Sequence, residues 1–127
     1  MDIGKLKNNE QYCAWWPEPE VVLSLKENPE FNLHIWDGYF TAIFANPISA
    51  DDLWVGFTRD YQENKGGWDK AAEIENIEEY IWDILRYKDR RYDPIWERAS
   101  IYEVLELIVD FLTYAKQTNQ TVIVEVQ

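Results

Sequence analysis

The sequence predicts an α+β domain, an antiparallel or mixed sheet packed against two main helices. Two long segments repeat apolar residues at helical spacing: Ile74, Ile77, Ile81, Ile84 and Leu85 in one, Val104, Leu105, Ile108, Phe111, Leu112 and Ala115 in the other. Elsewhere, at 31–45 and 121–126, aromatic and branched residues crowd into runs of strand length. A chain of 127 residues, 46% of them hydrophobic, is long enough to bury one self-supporting core. No repeat or linker divides it, so residues 1–127 are expected to form a single domain, with the polar stretch 1–11 loosely held.

From the N-terminus, Tyr12 to Trp16 starts as a strand that Pro17 and Pro19 interrupt, because proline lacks an amide donor and restricts its predecessor. Residues 20–27, EVVLSLKE, read as a short helix ended at Asn28-Pro29. In FNLHIWDGYFTAIFA, 31–45, the pair Asp37-Gly38 tolerates the positive φ angles of a tight turn, which predicts a hairpin with strands at 31–36 and 39–45. A single buried helix competes, since periodicity does not separate the two in short apolar runs. Ser49 and Asp52 have the spacing of a capping box for a brief helical turn. Leu53, Val55 and Phe57 alternate with polar neighbours, predicting a strand over 53–60. Lys65-Gly66-Gly67 then reads as a flexible connection to a helix over 69–88. A second helix is expected over 100–116, capped by Ser100 with Glu103 three residues on. The branched run TVIVEV closes the chain as a buried strand.

With 24 acidic against 12 basic residues the formal charge is −12, so the summed field repels phosphate and draws cations or basic proteins. A nucleic-acid binder needs the opposite footprint. The single cysteine, Cys13, cannot form an intrachain disulfide, and no apolar run reaches the length of a signal peptide or membrane span. A cytoplasmic protein is expected, with neither nucleic acid nor membrane as partner.

Catalytic signatures are missing from the text. His34 is the single histidine and lies far in sequence from Cys13, and no nucleophile-elbow sequence occurs. One Cys and one His cannot fill a tetrahedral zinc site, Asp51-Asp52 lacks the EF-hand pattern, and Gly66-Gly67 is not followed by the Lys-Ser/Thr of a phosphate loop. No metal or cofactor is expected. Carboxylate-only glycan chemistry stays open, because two acids suffice for glycoside hydrolysis and seven tryptophans could stack on sugar rings. A structural assembly protein is the other alternative.

The strongest signal is acid paired with aromatics. In AEIENIEEYIWDIL, 72–85, Glu75, Glu79 and Asp83 stand four residues apart, a column on one side of the predicted helix. Such a column serves equally as a solvated face, balanced by Arg86 and Lys88 at the helix C-terminus. With the charge of the whole chain behind it, it also suits a basic partner, with Asp60 adding charge and Trp68 and Trp82 serving as anchors. These six residues are the candidate partner-binding site, and stoichiometric binding without catalysis is the expected activity.

In this layout the chain resembles the small acidic immunity proteins that bacteria make against their own toxins, including those of contact-dependent growth inhibition. The likeness rests on one acidic domain, aromatic-rich runs such as FNLHIWDGYFTAIFA, and the closing unit IYEVLELIVDFLTYAKQTNQTVIVEV. It implies a cognate toxin domain as partner, a basic nuclease fitting the charge. A shorter stretch, DGYFTAIFANP at 37–47, looks like the N-terminal D-G-[FY]-x-T-A-x-x-x-x-P segment of the YecA-like bacterial family, where that segment is helical. The terminal TVIVEV and the lack of a cysteine-rich tail depart from that family's pattern.

Overall fold

Alternation builds the sheet. Val21, Leu23 and Leu25 point to one face of a strand, and Phe31, Leu33 and Ile35 repeat the period of two on the next. In the computed structural model, which describes residues 9–12, 18–64, 68, 70–90, 92 and 98–127, these are β2 (Glu20–Leu25) and β3 (Asn28–Trp36). They pair antiparallel, Val21 opposite Ile35 and Leu23 opposite Leu33, around a turn at Lys26-Glu27. β5 (Val122–Val126) lies antiparallel on the other side of β2, and β4 (Ala72–Ile74) antiparallel beyond it. β1 (Asn9–Tyr12) runs parallel to β3. The order β1-β3-β2-β5-β4 makes a mixed sheet.

Four α-helices complete the described chain: α1 (Asp37–Phe44), α2 (Gly56–Glu63), α3 (Ile77–Leu85) and α4 (Arg98–Gln117). On α4 the buried residues Ile101, Val104, Leu105, Ile108, Phe111, Leu112 and Ala115 form a continuous stripe. This stripe shares one core with the inward residues of β2, β3 and β5. Phe31 of β3 stacks on Tyr114 at 4.6 Å and tilts against Phe111 at 5.7 Å. Each large apolar side chain so buried contributes about 1.5–3 kcal/mol. The α+β class, with a mixed sheet against helices, is the one expected.

Several elements differ from expectation, each for a physical reason. Residues 20–27 are β2 and its turn rather than a helix. Pro29, expected to end a helix, sits at the start of β3 beside a register slip at Ser24/Leu25, where a missing amide is tolerated. The strand at 31–36 is present, but 39–45 is not its hairpin partner. It falls largely in α1, whose buried Phe40, Ile43 and Phe44 keep helical spacing. Gly38 has no positive φ, and its role is space: a methyl group there would collide with the Trp36 indole. The helical state is the one the YecA-like segment implied.

The predicted strand 53–60 is a 3-10 turn (Asp51–Leu53) followed by α2, with Phe57, Thr58 and Tyr61 inward. The brief turn foreseen near Ser49 is therefore there, although Ser49 Oγ donates to the Leu53 carbonyl at 3.5 Å instead of capping an amide. The long helix 69–88 divides into β4 and α3, because Asn76 caps at the break, its Oδ1 accepting from Glu79 N–H at 3.3 Å. α4 begins at Arg98, so Ser100 lies inside the helix instead of before it. Residues 9–11, expected to be loosely held, lie in β1, while residues 1–8, the strand foreseen at 13–16 and Lys65-Gly66-Gly67 fall outside the described residues.

Candidate functional site

The amides at the start of α2 organise the site. A helix leaves its first N–H groups without partners inside the helix, and Val55 offers them no side-chain cap. Two carboxylates of α3 take that place. Gly56 N–H donates to Glu79 Oε1 at 3.1 Å and Thr58 N–H donates to Asp83 Oδ2 at 2.8 Å. Glu79 and Asp83 are one turn apart on α3, so they meet the end of α2 as a pair, where their charge suits the positive end of its dipole. The approach is close. Gly56 has φ +56°, and a Cβ there would lie 3.1 Å from both Tyr80 Cα and Asp83 Cβ, which reserves the position for glycine.

Asp83 is fully buried. Beyond the Thr58 amide, it accepts from Thr58 Oγ1 at 2.8 Å and from Arg86 Nη2 at 2.5 Å. With its proton committed to Asp83, the Thr58 hydroxyl accepts from Tyr87 Oη at 2.7 Å. Burial pushes the Asp83 carboxyl up from its ordinary range, against the Arg86 and Thr58 bonds that hold it down.

Above this buried cluster, a cavity of about 320 Å³ opens between α2, β4 and the start of α3. Asp60, Glu73, Glu75 and Glu79 line it, with Arg59, Asn64, Tyr80 and Trp68 among their neighbours. Arg59 organises the carboxylates: its Nη1 donates to Glu79 Oε1 at 2.9 Å, and its Nη2 to Asp60 Oδ1 at 3.2 Å and Tyr80 Oη at 3.1 Å. Tyr80 Oη in turn donates to Asp60 Oδ2 at 2.5 Å. Burial and the Asp60 carboxylate push the Tyr80 hydroxyl far above its ordinary value, so it stays a donor. Glu73 pairs with Lys26 at 2.5 Å across exposed surface. Glu75 is exposed and makes no ion pair among the described residues.

Of the six residues singled out by the sequence, Asp60, Trp68, Glu75 and Glu79 line this cleft. Their expected roles change. Trp68 is 6% exposed and meets Phe40 and Phe57 edge-on at 5.8 and 5.9 Å, so it is a wall of the cleft rather than an exposed anchor. Glu75, Glu79 and Asp83 form no surface column: α3 starts at Ile77, after Glu75, while Glu79 and Asp83 turn inward to α2. Asp83 is sealed from any partner. Trp82 is half exposed but lies outside the cleft, with the Arg86 guanidinium 4.4 Å from its ring centroid. Arg59 and Tyr80 escaped the sequence reading, since no local pattern shows which cation will meet Glu79. The Asn76-Glu79 spacing, by contrast, is a legible cap.

Compared with known proteins, the chain matches no family model, no curated sequence and no solved structure. Among the described residues no group of three or more His, Cys, Asp or Glu is arranged to hold a metal ion, and no helix is long and apolar enough to cross a membrane.

Proposed function

We propose that this is an immunity protein, which binds a cognate basic nuclease toxin one to one and neutralises it in the cytoplasm without catalysis. The observation that supports this most is the open acidic cleft on a chain of formal charge −12. Nucleases carry basic surfaces for phosphates, and an acidic protein seated on such a surface competes with nucleic acid for it. Four carboxylates line the cleft against the Arg59 guanidinium and the Lys26 ammonium that pairs with Glu73, and Asp60 and Glu79 are held in place by Arg59 and the α2 amide. Carboxylates fixed before the encounter lose little freedom on binding, which favours affinity. The surrounding negative field speeds capture, with steered association reaching about 10⁸–10⁹ M⁻¹s⁻¹.

Glycan cleavage finds less support in the same geometry. A sugar-stacking platform needs an exposed ring face, and Trp68 presents almost none. Asp60 already accepts from Arg59 and the Tyr80 hydroxyl, and Glu79 from Arg59 and the Gly56 amide, so both carboxylates are engaged within the fold rather than left free for a substrate.

Capture from lysate of the native host tests the proposal. The tagged chain is expected to retain a basic protein at low salt, to capture it more slowly at high salt, and to abolish its nucleic-acid cleavage. Retention of no basic protein, or turnover of a glycan by the chain itself, contradicts it.

A further inference from the structure

Ile48, Leu53, Trp82 and Leu85 are the large apolar side chains left exposed among the described residues, at 41%, 51%, 51% and 43%. Scattered singly, such residues need no explanation. These are gathered. Trp82 and Leu85 lie three residues apart on α3, and Arg86 beside them reaches across to the 46–54 segment, its Nη1 donating to Ser49 Oγ at 2.9 Å. Ser49, next to Ile48, accepts at its carbonyl from Trp54 Nε1 at 3.3 Å and donates from its hydroxyl to the Leu53 carbonyl. One guanidinium therefore draws both halves of the patch together and stacks on its largest ring, while the buried Asp83 fixes that guanidinium from below.

We infer that this face is the docking site for an apolar side chain projecting from a basic protein surface, so that the partner spans from the acidic cleft to Trp82. The inference rests on the proposed binding of a basic protein and adds where its affinity is concentrated. Trp is among the residues that dominate interface energetics, and a ring held in place by Arg86 is ready for contact. Charge selects the occupant. The exposed Asp51 and Asp52 adjoin Leu53, while Glu78, one turn before Trp82, is already paired with Lys116. The nearby cations Arg86 and Arg90 are turned inward, Arg86 to Asp83 and Arg90 to the Ile43 and Asn46 carbonyls, although Lys88 stays exposed. A second copy of this chain would bring the same acids and the same overall charge against the face, whereas lysines around a leucine complement it.

Two short lysine-rich peptides, identical except for a central leucine in one and glycine in the other, provide the test by titration into isotopically labelled protein at low salt. The leucine peptide is expected to bind about tenfold tighter, the change that burying one such side chain brings. Its shifts should fall on the Trp82 indole and the Leu53 and Leu85 methyls. Trp82→Ala should equalise the two affinities without changing that of the glycine peptide. Leu53→Ser should narrow the gap in the same direction, which covers the case of a misfolded Trp82 variant. Equal affinities for the unaltered protein, or shifts confined to the cleft, overturn this docking site while leaving the acidic binder standing. Binding of neither peptide overturns both. Self-association that Trp82→Ala abolishes also overturns the assignment, because it places a second copy on the face.

Discussion

At the residue scale, Asp83 carries the greatest structural weight of the acidic residues. It neutralises Arg86, satisfies the Thr58 amide and orients the Thr58 hydroxyl from a position without solvent. Asp83→Ala strands a nearly buried guanidinium and a buried amide, and should lower stability by about 3 kcal/mol, read from the midpoint of urea unfolding. A loss below about 0.5 kcal/mol, the usual range for surface changes, contradicts that role. The pH dependence has a definite sign. Because burial raises the folded-state pKa of Asp83, its contribution is fully present below the unfolded value, about 3.9, and is lost as pH rises through the higher folded value. The advantage of the unaltered protein over Asp83→Asn should therefore be largest in acid and shrink toward neutrality. Glu78 runs the other way: the Lys116 ammonium holds its carboxyl low, so its contribution is lost as pH falls. An advantage over Asp83→Asn that grows with pH contradicts the assignment.

At the element scale, α2 depends on α3 because it lacks a cap of its own, and this explains why it was invisible locally. Leu53, Val55 and Phe57 alternate as a strand does, and nothing nearby announces that Glu79 and Asp83 will receive the amides of Gly56 and Thr58. The contrast with α4 is instructive. Its stripe from Val104 to Ala115 is local and runs along a helix of 20 residues, so periodicity alone revealed it, as branching revealed β5. The short elements lost their signal to neighbours: β2 was obscured by the proline beyond its turn, and α1 by an Asp-Gly pair that resembles a hairpin turn. Gly38 tests that last point. Gly38→Ala should destabilise by about 1–3 kcal/mol through its clash with the Trp36 indole, and truncating that ring as Trp36→Ala should make the alanine tolerable. Thermal unfolding of the single and double variants distinguishes this from a turn requirement, under which removing the ring restores nothing. Of the candidate site, the sequence revealed the charge but not the orientation of its side chains. Asp60, Trp68, Glu75 and Glu79 meet in one cleft, yet the sequence could not show that Glu79 and Asp83 serve α2 or that Trp68 lies edge-on in the core.

At the scale of the whole molecule, the surplus of acid acts through distance. Its field reaches about 10 Å at 0.1 M salt, so it shapes the approach of a partner more than the final contact. Glu75, exposed and unpaired among the described residues, is the cleft carboxylate whose reversal disturbs the fold least. Glu75→Lys should slow association with the captured partner severalfold at low salt, with dissociation changed much less, and the difference should fade as salt rises. An effect confined to dissociation would place Glu75 in a desolvated contact instead. The most direct measurement of the central claim is an inhibition titration, in which the purified basic partner cleaves nucleic acid while this chain is added in known molar ratio. Stoichiometric neutralisation predicts a linear fall to no activity at one molecule per molecule. Cleavage that persists in molar excess, or that disappears at a small fraction of equivalence, contradicts it.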